Sequence, residues 1–404
     1  MGPKFVVELN GLRKVNRPPL FFFRLEKKRA ADRHISALRN SDGTIVSCKD
    51  ELCRSFCFYV DLFSAESCDV VTQNQFLSKV SYSLSSSCRC QCEGHLTLEE
   101  CFAALKGMAR NKAPGCDGLP VEFYLAFWHV LGSDLVMVLD SCFCSGLLSP
   151  SQRRGVISLS YKKGDRLDSH NWRPITLLNV DCKIASRAIA GRLLNVISFV
   201  VEKDQTCGVP GRLIGENVAF LRDVVDFTSF TGVPAAILCL DQEKAFDLVD
   251  WSFMRSTLVS MNFGPSFVRV GLFYTGVQNA VNVNGYVSPF FSLSRGVRQG
   301  CPLSPLLYVL VAEVLACNIR CNPLISGLSI PGFHDPLPCI SQYADDTSLV
   351  VVSDPAIVAV LILTIVLRKV LLLNLICRNV KACGSALGMV VLTPRLTFYG
   401  LPSK

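Results

Sequence analysis

The pattern of hydrophobic and polar positions changes several times along the chain between the period of a helix and that of a strand. Thr97 and Glu100 form the signature of a capping box, and they predict a helix that runs from there to about residue 111. Further segments with apolar faces predict helices at residues 121–131, 133–145, 185–200, 251–261 and 302–318. Short apolar runs between turn residues predict strands at residues 156–161, 235–240, 281–285, 339–343 and 347–352. This order lacks the regular alternation and the glycine fingerprint of a dinucleotide-binding fold, so the predicted class is α+β.

A long apolar stretch, AIVAVLILTIVLRKVLLLNLIC at residues 356–377, follows the last predicted strand. Twelve apolar or nearly apolar residues end at Leu367, where Arg368 and Lys369 interrupt the run. A helix that spans a membrane needs about 20 apolar residues, and two central charges cost about 5–7 kcal/mol on the insertion scale. We therefore expect no membrane partner, and membrane association stays an alternative.

The chain has 404 residues and a formal net charge of +8, which is compatible with a polyanionic partner. The positive excess is strongest in residues 1–33, where nine lysines and arginines stand against three acidic residues. A basic surface that faces nucleic acid and an ordinary solvated surface both explain this segment.

The twenty cysteines are scattered along the chain, and no apolar segment typical of a signal peptide follows the N-terminus. We therefore expect free thiols in a reducing compartment, the nucleus and the cytoplasm. One cluster, Cys88, Cys90 and Cys92 with His95, invites a zinc interpretation. Its thiols are closer together than in zinc sites, where roughly two to four residues separate them, and a second pair is missing, so we do not predict zinc.

Three aspartates stand at the ends of apolar strands, where they add nothing to the packing of a sheet. Asp345 and Asp346 fill the tight connection between the strands at 339–343 and 347–352, and Asp241 ends the strand at 235–240. Taken singly, each has an ordinary explanation, as a turn residue or as the cap of the next helix. Together they supply carboxylate oxygens for two Mg²⁺ ions about 4 Å apart, with Mn²⁺ as an alternative, and such a metal pair supports in-line nucleotidyl transfer.

Six motifs occur in the order that one known family shows. They are KAPGCDGLPVEFY (112–124), YKKGDRLDSHNWRPITLLNVDCKI (161–184), DQTCGVPGR (204–212), LDQEKAFDLVDW (240–251), RGVRQGCPLSPLLYVL (295–310) and QYADDTSLVV (342–351). The chain thereby resembles the reverse transcriptase of a non-LTR (LINE-type) retrotransposon over most of residues 20–355. A chance match to the four residues YADD is easy, whereas the ordered set of motifs is specific.

This resemblance implies a right-hand polymerase fold with fingers and palm, from which the thumb is missing. We expect a basic, Ser- and Cys-rich segment at 1–95 as the linker to an absent endonuclease, a fingers-like region at 96–230 and a palm with the catalytic hairpin at 231–355. The resemblance also implies an RNA-directed DNA polymerase that transfers a nucleotide from a dNTP to a primer 3′-hydroxyl. Its partners would be an RNA template, a DNA primer or target, and dNTPs.

The resemblance assigns roles to individual residues as well. Asp241, Asp345 and Asp346 would be the catalytic metal ligands, and Phe246 would be the steric gate that excludes the 2′-hydroxyl of an rNTP. An aromatic ring at this position favours DNA synthesis and argues against a viral-type RNA polymerase. The residues that would hold the incoming nucleotide are Lys162, Lys163, Arg173, Phe246, Gln299 and Gly300. Those that would contact nucleic acid are Arg24, Lys27, Lys28, Arg212, Arg295 and Arg298.

Residues 356–404 depart from the family, which places a polar amphipathic helix after the aspartates. This chain reads LLLNLICRNVKACGSALG at 371–388, and codons chosen for 382–388 give a family-like pattern when they are read one base earlier. We therefore predict a frameshift between about residues 354 and 364, followed by an aberrant hydrophobic tail. The alternative function is an inactive, decayed fragment that acts at most as a nucleic-acid-binding or membrane-associated protein.

Overall fold

The computed structural model describes residues 34–39, 43–48, 51–52, 57–65, 69–233, 235–242, 244–323, 325, 327–330 and 338–352, together with the backbone of three strands within 377–398. Its helices are α1 (Cys57–Leu62), α2 (Val70–Leu77), α3 (Ser86–Cys92), α4 (Leu98–Lys106), α5 (Val121–Ser145), α6 (Pro150–Arg153), α7 (Val180–Leu194), α8 (Ile214–Thr231), α9 (Trp251–Ser260), α10 (Pro265–Val268) and α11 (Ser304–Arg320). Its strands are β1 (Leu38–Arg39), β2 (Ile45–Val46), β3 (Arg154–Tyr161), β4 (Trp172–Leu178), β5 (Ala235–Gln242), β6 (Gln278–Val283), β7 (Tyr286–Val287), β8 (Phe291–Ser292), β9 (Ile340–Tyr343), β10 (Asp346–Val352), β11 (Cys377–Gly384), β12 (Val390–Leu392) and β13 (Leu396–Phe398). The mixture of helices with largely antiparallel sheets agrees with the predicted α+β class.

The largest sheet carries the predicted aspartates. Its strand order is β13-β12-β11-β5-β10-β9, and all of its neighbouring strands are antiparallel. Helix α11 covers one face, where Ile319 belongs to the same apolar cluster as Leu238 of β5 and Leu349 of β10. Helix α8 contributes Val224 to a cluster with Val350 of β10. Packing on both faces explains why β5 and β10 read as nearly continuous apolar runs.

A second sheet has the strand order β4-β3-β6-β7, with β8 also paired to β6. β3 runs antiparallel to β4 and parallel to β6. The sequence pattern does not predict β4, because Pro174 in its middle disfavours a strand. The position of β4 at the edge of the described sheet explains the exception, since the missing N–H of a proline needs no partner there.

Helix α5 corrects a predicted break. The pattern predicts separate helices at 121–131 and 133–145, whereas the structure has one helix of 25 residues. Gly132 lies inside it, and a Cβ added there would lie 2.8 Å from the Trp128 ring and 3.1 Å from Leu98 of α4. The close packing that glycine permits offsets the roughly 1 kcal/mol by which it weakens a helix.

Other predicted helices are present with different ends. α4 begins at the predicted capping box, in which Glu100 N–H donates to the Thr97 hydroxyl and Thr97 N–H donates to the Glu100 carboxylate. The helix predicted at 185–200 is α7, which begins at Val180 and ends at Leu194. Helix α8 is a further element that the pattern does not predict.

The largest hydrophobic cluster joins residues on both sides of the predicted boundary at 230/231. Leu105 and Ile184 belong to it, and so do Phe253 and Leu307. The two predicted regions therefore share one core within the described residues. The division of this core into fingers and palm stays a prediction.

Within the described residues, α5 is long and apolar enough to cross a membrane if length and composition alone are considered. Its Tyr124, Trp128 and Leu139 are buried in the protein core, although only 22% of its most apolar stretch is buried. A single helix that passes on length and composition is weak support for a membrane span. The apolar run at 356–377, on which the membrane alternative depends, lies outside the described residues except for Cys377 in β11.

Candidate active site

β9 and β10 form the tight hairpin that carries two of the predicted metal ligands, here named the aspartate hairpin. Tyr343 pairs with Asp346 across it, and Ala344 and Asp345 make the turn. Ala344 has a φ of +55°, in the left-handed region that residues other than glycine rarely adopt. Such a backbone persists only where the surrounding structure holds it in place.

The register of the sheet brings the third predicted ligand to the same place. The last pair between β5 and β10 joins Leu240 to Thr347. The next residues along the two strands are Asp241 and Asp346. Neighbouring strands lie about 5 Å apart, so the backbone places these aspartates at adjacent positions. The side chain of Asp241 lies outside the described residues.

Phe246, the predicted steric gate, stacks on Tyr308 of α11. The ring centroids are 4.2 Å apart, and the planes are inclined by 26°. The buried hydroxyl of Tyr308 donates to Gln242 Oε1 at 2.5 Å. Burial raises the pKa of Tyr308 well above its ordinary value, and the negative charges of Asp345 and Asp346 add to this effect. The aromatic stack therefore lies within electrostatic reach of the aspartate hairpin.

The loop at residues 295–300 packs against the segment that carries Phe246. Val297 N–H donates to the Phe246 carbonyl oxygen at 2.7 Å. Gly296 has a φ of +88°, and a Cβ there would lie 2.5 Å from the carbonyl oxygen of Asp247. Both the backbone conformation and this close approach require glycine.

Gln299 and Gly300 lie where this loop meets β4. Thr176 N–H of β4 donates to the Gln299 carbonyl oxygen at 2.7 Å. A Cβ added to Gly300 would lie 2.4 Å from the carbonyl oxygen of Thr176, so the loop can approach the strand only with glycine here. Arg173 stands three residues earlier on the same strand, about 10 Å away along the backbone. Four predicted nucleotide-binding residues thus belong to connected segments.

The side chain of Gln299 is held by a buried carboxylate. Gln299 Nε2 donates to Asp247 Oδ1 at 2.8 Å, and Asp247 is only 2% exposed. Burial raises the pKa of Asp247 to about 6, although this hydrogen bond and the positive charge of Lys244 act in the opposite direction. The carboxamide of Gln299 is therefore oriented before any nucleotide arrives.

Lys162, Lys163 and Arg173, here named the basic edge, lie on the hairpin of β3 and β4. Ser160 pairs with Arg173, and the two lysines directly follow β3. The three side chains are exposed and have no hydrogen bond or ion pair to another residue in the described part of the chain. The turn behind them is ordered, since Lys162 N–H donates to the Asn171 carbonyl oxygen at 2.9 Å. The basic edge is thus available to bind phosphate groups.

Arg295 and Arg298 were predicted to contact nucleic acid, but their guanidinium groups donate hydrogen bonds to carbonyl oxygens of the protein backbone. Both are buried. Arg295 Nε donates to the Leu62 carbonyl oxygen at 2.8 Å, and an Arg298 guanidinium nitrogen donates to that of Phe273 at 2.5 Å. A buried charge that loses its partners is strongly unfavourable. These contacts favour a structural role for the two arginines, which hold neighbouring segments together, over the predicted contact with nucleic acid.

Arg212 makes similar contacts at a half-buried position. Its guanidinium donates to the carbonyl oxygens of Val201 at 2.9 Å and Gln205 at 2.8 Å, and also to that of Glu202. These bonds hold the loop at 201–205 closed. They favour a structural role for Arg212 over the predicted contact with nucleic acid.

Some predicted residues fall outside the part of the chain that the structure describes, namely Arg24, Lys27 and Lys28. Among the described side chains, which do not include that of Asp241, no three His, Cys, Asp or Glu residues lie together where they could hold a metal ion. The described part of the predicted set, Asp345 and Asp346, offers carboxylate oxygens. These hard ligands are the type that Mg²⁺ prefers, so the chemistry of the donors fits a divalent cation.

Three further polar residues of the site were not singled out from the sequence. They are Gln205, Asp247 and Tyr308, and all are buried. Each stands inside one of the six motifs, so a polar side chain within a motif was the available signal. The sequence carries no information about its partner, because the contacts join residues that are far apart along the chain.

A family model described as "Reverse transcriptase (RNA-dependent DNA polymerase)" matches residues 161–386 of this chain. The matched interval contains the aspartate hairpin, the aromatic stack, the 295–300 loop and the basic edge. It also continues past residue 356 into the segment predicted to be out of frame, where the backbone of β11 pairs with β5. The frameshift stays a prediction, and the family match beyond residue 356 does not favour it.

Similar proteins come from transposable elements. The uncharacterized 149 kDa protein of transposon TX1 from Xenopus laevis is 39% identical over 83% of this chain and 26% of its own length. The Pol polyprotein of the type-1 retrotransposable element R2 from Popillia japonica is 27% identical over 57% of this chain and 31% of its own. A probable RNA-directed DNA polymerase from transposon X-element of Drosophila melanogaster is 24% identical over 51% of this chain and 23% of its own. The chain thus spans about a quarter to a third of these relatives.

Proposed function

Because the chain belongs to the reverse transcriptase family, as a reverse transcriptase domain of a non-LTR retrotransposon, we propose that it is the catalytic core of an RNA-directed DNA polymerase. The reaction is the transfer of a nucleotide from a dNTP to the 3′-hydroxyl of a DNA primer that is paired with an RNA template. The finer architecture that we propose is a right-hand polymerase with its fingers in 96–230 and its palm in 231–355.

The observation that carries this proposal is the strand register. It brings Asp241 and Asp346 to adjacent positions, with Asp345 in the turn between β9 and β10. The stack of Phe246 on Tyr308 lies within electrostatic reach of Asp345 and Asp346. A cluster of acidic ligands next to an aromatic platform for the sugar is what nucleotidyl transfer with discrimination against rNTPs requires.

Asp241, Asp345 and Asp346 would hold two Mg²⁺ ions, with Mn²⁺ as an alternative. When bound, such ions lower the pKa of the attacking hydroxyl and neutralise charge that develops on the phosphate oxygens. The protein contributes the converging carboxylates and the rigid hairpin that carries them.

The other residues bind and orient the nucleotide. The ring of Phe246, supported from behind by Tyr308, leaves no room for a 2′-hydroxyl. Gln299, oriented by Asp247, donates or accepts hydrogen bonds beside the nucleotide and the template. Residues of the basic edge bind the triphosphate, since a guanidinium fork and ammonium groups match phosphate oxygens.

The test is single-nucleotide incorporation by the purified 404-residue chain on a DNA primer annealed to an RNA template. We expect weak extension by this chain with a dNTP and Mg²⁺, and much less with the matching rNTP. Asp345→Asn removes a metal ligand and should abolish the reaction, whereas Asp223→Asn, at an exposed surface ion pair with Arg222, should leave it unchanged. Extension by the Asp345→Asn protein at the wild-type rate would contradict the site assignment.

The second candidate function is binding of nucleic acid by an inactive copy. The observation that favours it is the apolar sequence at 356–377, which stands where the family has a polar segment. This candidate predicts that the chain retains the primer–template duplex in a filter-binding assay and gives no extension with any dNTP or divalent cation. Measurable incorporation that depends on Asp345 would exclude it.

A further inference from the structure

We propose that Gln205 is a positioning residue for the aspartate hairpin, and that it sets the orientation of Asp345 through the backbone of Ala344. This inference rests on the proposed function, because it assigns to Gln205 a task in the metal binding of that site. Gln205 lies about 140 residues away from the hairpin along the chain, in the motif DQTCGVPGR.

The carboxamide of Gln205 contacts both polar backbone groups of Ala344. Ala344 N–H donates to Gln205 Oε1 at 3.0 Å, and Gln205 Nε2 donates to the Ala344 carbonyl oxygen at 3.4 Å. The same Oε1 accepts a hydrogen bond from Cys207 N–H at 3.0 Å. One side chain therefore fixes the peptide groups on either side of Ala344, and the second of these groups leads directly into Asp345.

The turn needs such support because Ala344 has a φ of +55°, where an alanine is strained. Loss of the two hydrogen bonds would let the turn relax toward an ordinary backbone conformation, and Asp345 would rotate with it. Gln205 is 0% exposed, so water does not compete for these bonds. The contacts are thus suited to hold one conformation of the hairpin.

Gln205 is itself held at the edge of the large sheet. The segment 204–206 runs parallel to β9, and Gln205 forms a β-bridge with Gln342. Thr206 N–H donates to the Gln342 carbonyl oxygen at 3.0 Å, and Gln342 N–H donates to that of Asp204 at 2.8 Å. The position of the carboxamide relative to the hairpin is therefore set by the backbone on both sides of Gln205.

Two arginines brace this segment from outside. Arg212 donates to the Gln205 carbonyl oxygen at 2.8 Å. Arg320 of α11 donates to the Asp204 carboxylate at 2.6 Å and also pairs with the buried Glu313. The segment that presents Gln205 is thus tied both to its own continuation and to the helix beneath the sheet.

The test compares two buried glutamines in the full chain. Gln205→Met keeps the length of the side chain and removes its hydrogen bonds. Gln152→Met is the matched control, because Gln152 is also buried and uses both ends of its carboxamide, donating to Asp181 at 2.9 Å and accepting from Ser149 N–H at 3.1 Å. It has no contact with the aspartate hairpin.

The readout is metal binding, measured without any polymerase activity. Fe²⁺ replaces Mg²⁺, and with ascorbate and peroxide it generates hydroxyl radicals that cut the chain near the bound ion. Cuts near residues 241 and 345 are mapped by mass spectrometry as the Fe²⁺ concentration is raised. Circular dichroism gives the folded fraction, and the cutting is expressed per folded molecule.

We expect Gln205→Met to need about tenfold more Fe²⁺ for half-maximal cutting, since two hydrogen bonds that hold the ligand turn are lost. Gln152→Met should match the wild type. Ala344→Gly in the Gln205→Met background should recover part of the loss, because glycine adopts a positive φ without strain. If Gln205 merely stabilised the fold, adding Ala344→Gly would not restore metal binding to the Gln205→Met protein.

Half-maximal cutting by folded Gln205→Met within twofold of the wild type would overturn the inference. If that variant does not fold, Gln205→Asn, whose carboxamide is one methylene too short to reach Ala344, replaces it with the same expected shift. Failure of the proposed function has a different signature, namely a folded wild-type chain with no localised cutting at any Fe²⁺ concentration.

Discussion

The aspartate hairpin and the basic edge belong to the same proposed site, but they are built in opposite ways. The hairpin is held by Gln205, which is fully buried and bonds to both sides of Ala344, and its turn keeps that alanine at a positive φ. The basic edge carries exposed side chains at the end of a hairpin, and in the described residues they form no hydrogen bond or ion pair. One half of the site is held by buried hydrogen bonds, and the other half is open to solvent.

The difference follows from the charges that each half must handle. In the proposed metal site three carboxylates would repel one another, so the protein must hold them in place before a cation binds. Lysine and arginine side chains are long, and ordering them in advance would cost conformational entropy without a ligand to offset it. They can instead close on a triphosphate when it binds, as their exposure allows. The following changes test this contrast, from the largest expected effect to the smallest.

Asp346→Asn should have the largest effect, because it removes one of the charges that the hairpin holds in place. We expect the rate of single-nucleotide incorporation to fall by about a thousandfold or more while the fold persists. The rate is measured with a DNA primer on an RNA template, and Asp223→Asn serves as the surface control. A loss of less than tenfold would place Asp346 outside the metal site.

Arg320→Met should cause the next largest loss, here in stability. The change leaves Glu313 and Asp204 buried without their partner, and an uncompensated buried charge costs about 3–5 kcal/mol. The free energy of unfolding is measured by urea denaturation. Arg222→Met, at an exposed ion pair, should change it by less than about 1 kcal/mol. If both variants lost the same free energy of unfolding, the buried ion pairs of Arg320 with Asp204 and Glu313 would not stabilise the protein as we infer.

Asp247→Asn tests the fixed part of the site through pH. The folded protein raises the pKa of Asp247 from 3.8 to about 6, so its contribution to stability is present below about pH 4 and is lost as the pH rises through 6. At neutral pH the buried charge therefore costs up to about 3 kcal/mol. Asparagine keeps an acceptor for Gln299 without this charge. The stability of the variant relative to the wild type should increase between pH 4.5 and 7.5, and a constant difference would rule out the shifted pKa.

Arg173→Ala should have the smallest effect, because the basic edge adds binding energy but no rigid framework. We expect the KM for dNTP to rise about tenfold and the free energy of unfolding to change by less than about 0.5 kcal/mol. Steady-state incorporation at varied dNTP concentration measures the first, and urea denaturation measures the second. The contrast between the two halves of the site would disappear if Arg173→Ala destabilised the chain as strongly as Arg320→Met.

Much of the fold was predictable where local signals are strong. The capping box at Thr97, the apolar strands β5 and β10 and the turn between Tyr343 and Asp346 were all visible as patterns of neighbouring residues. The predictions failed where a distant contact overrides a local rule. Gly132 predicts a helix break, but the helix continues because Trp128 and Leu98 pack against the glycine. Pro174 disfavours a strand, but β4 forms because it lies at the edge of its sheet.

The sequence by itself determined the family and the order of its motifs, and it singled out the three aspartates as proposed metal ligands, because each of these depends on residue types at fixed local spacing. Only the tertiary structure decided which basic residues remain free. Arg173 projects from an edge strand, whereas the guanidinium groups of Arg295 and Arg298 bind backbone carbonyls. Sequence spacing cannot separate these cases, since a charged side chain looks the same whether its partner is solvent or a carbonyl group some 25 to 230 residues away. For the same reason the sequence does not predict the proposed role of Gln205, which depends on its contacts with the strained turn at Ala344.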